Sequence, residues 1–191
     1  MAWAQNTMPA QLPGITLTDI SAAIHYGHRE GMRTSDSIDV LVIHSNYFVG
    51  QDRFNPDSCM WQFEQYNVAP HYLITRQGEV IQMVREKDVA WHAGRSHLPG
   101  TERDSLNRTS IGIEIINSKT QGPNIQQYQT LIKLCQHLTE TWGIRYVVRH
   151  SDIAPTRKTD PWMLDWGDFE RDLKAIVREE LLFPKPNGRL R

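Results

Sequence analysis

Apolar residues recur along this chain in two rhythms. In "NIQQYQTLIKLCQHLTETW" the residues Ile125, Tyr128, Leu131, Ile132, Cys135, Leu138 and Trp142 fall three and four apart, the spacing that lays one stripe along a helix. Asn124 with Gln127 three residues on supplies a capping box, and Gly143 supplies the stop. A second amphipathic helix is predicted over 168–182, burying Phe169, Leu173, Ile176, Val177 and Leu181, and a third, shorter one begins near Ser58. The other apolar runs are short and rich in β-branched residues. "IDVLVIH", "SIGIEIIN" and "RYVVRH" read as strands, and "HYLITR" with "EVIQMV" reads as two strands joined across Gln77-Gly78. Strands and helices alternate irregularly, which predicts an α/β fold with a central mixed β-sheet flanked by α-helices.

A chain of 191 residues, 39% of them hydrophobic, buries one substantial core, so a single domain is expected over 37–183. Residues 1–36 read as an ill-defined lead-in, and "PKPNGRLR" at 184–191 as a loose basic tail. The formal charge of -1, from 21 basic and 22 acidic residues, gives no field to attract a polyanion, and no block of Lys and Arg forms a nucleic-acid arm. Nucleic acid is therefore not an expected partner. No apolar run approaches the roughly 18 residues of a transmembrane segment. Two cysteines, Cys59 and Cys135, exclude a disulfide framework but leave room for one bridge; Cys135 lies on the apolar stripe and reads as core.

Alternation along the strands selects the candidate chemistry. In "DVLVIH", Val40, Val42 and His44 share a face, and in "RYVVRH" Tyr146, Val148 and His150 do the same. Each histidine is thus expected to end a strand at the rim of the core. Asp160 precedes Pro161, which pushes it toward extended geometry, so Lys158 and Asp160 project from the same side of their loop. Two imidazoles and a carboxylate make a three-ligand zinc set with an open fourth position, the form of a catalytic site. In "SIGIEII", Glu114 shares its face with Gly112, which leaves room for a substrate beside the carboxylate. Taken singly, each residue has a plainer explanation: a solvated histidine at a strand end, a glutamate paired with a surface arginine, a solvated lysine, an aspartate in an ordinary turn.

The words "VLVIHSN", "APHYLITRQGEVIQMV", "AWHAGRS", "LNRTSIGIEIIN" and "RHSDIAPTRKTDP", in this order, resemble the zinc N-acetylmuramoyl-L-alanine amidases, a family that includes anhydro-muropeptide amidases, phage lysozyme-type amidases and peptidoglycan recognition proteins. The resemblance covers about Val40 to Trp166 and implies a single amidase domain. It implies His44, His150 and Asp160 as zinc ligands, Glu114 as acid/base group, and Lys158 as partner of the developing oxyanion. At the motif level it also suggests His71, Trp91, His92 and Asn107 as groove-lining, substrate-binding residues, although core packing explains a tryptophan or a histidine as readily. Arg103 is a candidate for a stem-peptide carboxylate, an exposed loop arginine being the plainer reading. The sequence departs from the family pattern where "TDPW" replaces "TDPG", so Trp162 is expected to alter the rim of the groove.

The implied reaction is hydrolysis of the amide between the lactyl group of N-acetylmuramic acid and L-alanine of the peptidoglycan stem, with peptidoglycan or a muropeptide as partner. The rival expectations are a non-catalytic peptidoglycan-binding protein and a zinc peptidase cutting within the stem. The substrate polymer and the Ala2-Trp3-Ala4 start, which has the small-x-small form of a signal-peptidase scar, point to the periplasm or cell envelope. The anhydro-muropeptide recycling branch of the family works instead in the cytoplasm.

Overall fold

The structure, a computed structural model, describes residues 14–31, 33, 34 and 37–186; the Ala2-Trp3-Ala4 start and most of the basic tail lie outside them. In chain order the elements are β1 (Leu17–Asp19), β2 (His28–Arg29), β3 (Val40–Asn46), α1 (Pro56–Gln65), β4 (Tyr72–Ile74), β5 (Val80–Gln82), β6 (Val89–Ala90), β7 (Ser110–Ile116), α2 (Ile125–Trp142), β8 (Tyr146–Arg149), α3 (His150–Ile153) and α4 (Trp166–Ile176). The main sheet runs β1-β5-β4-β7-β3-β8, while β2 and β6 form a separate antiparallel pair. Within the main sheet only the β4–β5 hairpin is antiparallel, so the sheet is mixed, as expected.

β7 and β3 lie side by side as interior strands and are covered on both faces, which explains their near-continuous apolar runs. Leu41, Ile43, Ile111, Ile113 and Ile115 pack with Leu131, Leu134 and Leu138 of α2 and with Phe169 and Leu173 of α4. On the alternate positions Val40, Val42 and Val148 meet Ala93, Leu98, Leu106 and Ile153. Cys59, Met60 and Phe63 of α1 pack with Leu73 and Ile116 in a further cluster. Cys135 belongs to the first cluster and Cys59 to the last; both thiols are buried and free, so the possible bridge does not form.

The caps act as the sequence predicts. Asn124 and Gln127 form the capping box of α2, and Gly143 ends it in the left-handed conformation at φ 66°. The helix near Ser58 starts at Pro56, with the Asn55 side chain accepting from the Ser58 N–H. Two expectations need correction. The helix predicted over 168–182 spans Trp166–Ile176, and Leu181 is buried outside it. There the chain follows β8, with the Leu182 N–H donating to Arg145 O at 2.8 Å and the Val147 N–H to Leu182 O at 2.9 Å. Satisfying backbone groups on an edge strand while burying Leu181 and Phe183 outweighs another turn of exposed helix. The lead-in is likewise not loose over its described part: β1 pairs in parallel with β5, and Ile15, Leu17, Ile20 and Ile24 are buried. The free edge of the hairpin recruits it.

Candidate active site

In the parallel register of β3 on β7, His44 stands opposite Glu114. On the other side of β3, Ile43 pairs with Arg149, the last residue of β8, and His150 opens α3 immediately after it. His150 thus starts a helix rather than ending a strand, because the Asp152 carboxylate accepts from the Arg149 backbone N–H at 3.0 Å and turns the chain there. The loop bearing Asp160 is pinned to the start of α3 and to the end of β3: the Ser151 N–H donates to Asp160 O at 2.9 Å, and the Trp162 N–H to Ser45 Oγ at 3.0 Å. Asn117 Nδ2 donates to Trp162 O at 2.7 Å.

These elements bring three buried ligand atoms together. His44 Nδ1 lies 2.8 Å from His150 Nδ1 and 3.6 Å from Asp160 Oδ2, and His150 Nδ1 lies 3.1 Å from Asp160 Oδ2. Atoms about 2.0–2.1 Å from a shared tetrahedral zinc stand roughly 3.3 Å apart, a spacing that the edges of this triangle bracket. Hydrogen bonding alone leaves the cluster unsatisfied. His44 Nδ1 and His150 Nδ1 face each other and the same Asp160 oxygen, so whichever single ring nitrogen carries a proton, the other faces the carboxylate with no hydrogen between them. Two imidazoles and one carboxylate could hold a metal ion here, and the donor types suit zinc.

The electrostatics agree with a site built for a cation. Burial and the neighbouring His150 lower the His44 pKa to about 4, so its ring is neutral. Burial pushes the Asp160 carboxyl up, but the hydrogen bond with His150 and the closeness of both imidazoles outweigh it and hold the group well below the usual carboxylate range. Glu114 moves the other way, raised by burial and by the Asp160 charge, with Lys158 opposing. Its Oε1 lies 3.9 Å from His44 Nδ1, and its Oε2 is buried without a partner. A cavity of about 520 Å³ opens over these groups and is lined by Glu114, His150, Lys158 and Asp160, with Trp91, His92, Lys119 and Trp162 around them.

The remaining sequence candidates divide. Trp91 and His92 line the cavity, whereas His71 and Asn107 do not. His71 is fully buried; its Nδ1 accepts from the Gly112 N–H at 3.0 Å, and the Arg33 guanidinium lies against its other nitrogen. Asn107 Oδ1 accepts from the backbone N–H groups of His92 and Ala93 at 3.2 and 2.8 Å, holding that loop from behind. The room expected beside Gly112 is already filled, because a Cβ there would lie 2.4 Å from Cγ of His92. Arg103 forms a two-pronged pair with Asp39 at 2.8 and 2.6 Å, away from the cavity. Trp162 does stand at the rim, with its ring centroid 5.6 Å from that of Tyr47 and Lys119 Nζ 5.5 Å above it. Sequence reasoning did not find Lys119, or Arg157, whose Nη2 bonds Ala93 O and Arg95 O and ties the His92 loop to the Lys158 loop.

Residues 34–162 match the family model described as N-acetylmuramoyl-L-alanine amidase. The chain is 41% identical over 116 residues to the 1,6-anhydro-N-acetylmuramyl-L-alanine amidase AmpD of Escherichia coli (strain K12), covering 59% of this chain and 60% of that protein. It is 36% identical over 151 residues to the N-acetylmuramoyl-L-alanine amidase AmiD of the same organism, covering 70% of this chain and 52% of that one. The chain thus spans from about half to three fifths of the length of these relatives. Among solved structures, it is similar to the complex of E. coli AmiD with the substrate anhydro-N-acetylmuramic acid-L-Ala-D-gamma-Glu-L-Lys, with a TM-score of 0.62, 31% identity, and coverage of 75% of this chain and 60% of that one.

Proposed function

Because the chain belongs to the N-acetylmuramoyl-L-alanine amidase family, we propose that it hydrolyses the amide joining the lactyl group of N-acetylmuramic acid to L-alanine of a muropeptide, using zinc held by His44, His150 and Asp160. The observation that carries this reading is the convergence of those three ligand atoms within 3.6 Å, at a cavity also lined by Glu114 and Lys158. Bound there, zinc supplies Lewis acidity, polarising a carbonyl oxygen and lowering the pKa of water toward about 7. Glu114 takes a proton from the attacking water and delivers it to the leaving amine; a carboxyl whose pKa is raised by burial is a stronger base than an exposed one and can hold what it takes. Lys158 meets the negative charge that develops on the carbonyl oxygen. Trp91, His92 and the Trp162–Lys119 rim form the walls against which the muropeptide lies.

The test is digestion of intact peptidoglycan and of a soluble anhydro-muropeptide by the zinc-loaded protein, with mass spectrometry of the products. A free stem peptide beginning at L-alanine is expected. Cleavage inside the stem, or binding without cleavage, overturns the reading. No helix among the described residues is long and apolar enough to cross a membrane. A periplasmic or envelope location fits the polymer substrate and a ligand set free of oxidisable thiolates. Recovery of the native protein in the cytosolic fraction of its source cells would overturn that placement.

A further inference from the structure

Only one ring nitrogen of His44, Nδ1, turns toward His150 and Asp160. The other, Nε2, lies 2.9 Å from His92 Nδ1. His92 Nε2 lies in turn 3.2 Å from Ser110 Oγ, and Ser110 Oγ lies 2.6 Å from the carbonyl oxygen of Leu106. The proton on each link follows from the far end. A carbonyl oxygen only accepts, so the single Ser110 hydroxyl proton goes to Leu106, and Ser110 Oγ is left as an acceptor toward the imidazole. His92 therefore carries its proton on Nε2 and presents a bare Nδ1, which an N–H on His44 Nε2 must meet. His44 Nδ1 is then the unprotonated nitrogen, the form a cation requires.

We propose that His92 and Ser110 are positioning residues that fix the tautomer and ring orientation of His44, so that its Nδ1 lone pair is presented to the metal. The His92 ring is itself held for this task. It stands at 90° to the His44 ring with centroids 5.1 Å apart, and it lies so close to β7 that a Cβ at position 112 would sit 2.4 Å from its Cγ and Nδ1. Asn107 fixes the backbone at His92 and Ala93. Glycine at 112 therefore makes room for the ring that orients a ligand, rather than for the substrate. The inference rests on the metal reading above, and its test separates the two.

Zinc affinity is measured by chelator competition, and imidazole tautomers by long-range 1H–15N NMR, on the full chain both zinc-loaded and zinc-stripped. Wild-type His44 is expected as the Nε2–H tautomer in both. His92→Leu removes the acceptor and should weaken zinc affinity about 10- to 100-fold, with a mixture of His44 tautomers in the stripped chain. His92→Asn, whose side-chain oxygen can stand where Nδ1 stood, should hold affinity within roughly threefold of wild type, and Ser110→Ala should fall between the two. An Nδ1–H tautomer of His44 in the wild type, unchanged affinity in His92→Leu, or equal losses in the Leu and Asn variants would each overturn the proposal. Should His92→Leu fail to fold, the wild-type spectrum decides. If the wild type takes up no zinc, the metal reading falls while the tautomer is still read from the stripped chain.

Discussion

β3 and β7 present two faces that share one backbone and work on different principles. On one, Leu41, Ile43, Ile111, Ile113 and Ile115 press into aliphatic side chains of α2 and α4, where each contact is small, non-directional and shared among many neighbours. On the other, His44, Gly112 and Glu114 meet His150, Asp160 and His92 through a few directional contacts with defined donors and acceptors. The aliphatic face holds the strands in register by area. The imidazole face uses that register, since the pairing of His44 with Glu114 sets how the acid/base candidate stands to the ligand candidates. The contrast teaches that damage on the two faces should separate: the first loses stability and keeps its chemistry, the second does the reverse.

The largest effects test that separation directly. His150→Ala should abolish zinc retention and lower activity by about 1,000-fold or more, the scale of several kcal/mol of lost transition-state stabilisation, while the chain stays folded. Ile113→Ala, one residue away from Glu114 and fully buried, should cost about 2–5 kcal/mol in a denaturant titration. Zinc affinity measured below its unfolding midpoint should nonetheless match the wild type. A loss of metal in the isoleucine variant would show that the faces are not separable.

Acid should reach only one face. In the metal-free chain the His44 pKa is lowered from 6.5 to about 4, and burial lowers His71 and His92 as well. Between those values the unfolded chain binds protons that the native rings refuse, so stability is present above about pH 6.5 and is lost as pH falls toward 4. His44 alone contributes about 3 kcal/mol across this window. Glu114, raised by burial, opposes the trend with one group against three. Melting of the metal-free wild type and of Ile113→Ala from pH 7 to pH 4 should give parallel curves, offset but equal in slope, since the titratable groups of that core, Tyr72 and Cys135, are pushed upward by burial and stay neutral throughout this range.

Within the imidazole face, holding the metal and moving charge should also part. Glu114→Gln and Lys158→Ala should keep zinc at wild-type stoichiometry by elemental analysis and lose about 100-fold in kcat. Near wild-type turnover in either variant would remove the role assigned to it.

Much of this division is legible in the sequence. Period-two alternation assigns His44 and Glu114 to the face opposite Ile43 and Ile113, and the long stripe with its capping box locates α2. What depended on distant partners was not legible. The early end of α4 and the recruitment of β1 answer the needs of two sheet edges that no local pattern reveals. His71 and Asn107 sit in the motifs expected to line the groove, but a motif does not say on which side of a wall its residues fall, and both lie behind it. The chain of contacts joining His44, His92, Ser110 and Leu106 crosses three separate segments. Its one local signal was Gly112, which marks a close approach without saying what approaches.

The smallest expected effect lies at the outer edge of the imidazole face, at Trp162, where the sequence resemblance leads to the expectation of a glycine. The positioning contacts of this residue are made by its backbone, through its N–H to Ser45 Oγ and its carbonyl from Asn117 Nδ2, and a glycine keeps both. The indole adds only rim contacts: its N–H to Thr159 Oγ1, an edge against Tyr47, and Lys119 over its ring. Trp162→Gly should therefore leave zinc affinity and kcat at wild-type values and raise KM for a soluble muropeptide about 2- to 10-fold, the range of one aromatic contact worth about 0.5–1.5 kcal/mol. The added freedom of glycine should cost a further 0.5–1 kcal/mol of stability, roughly. A fall in kcat beyond about tenfold, or a loss of zinc, would mean that the ring helps to hold Asp160 and belongs with the ligands rather than with the rim.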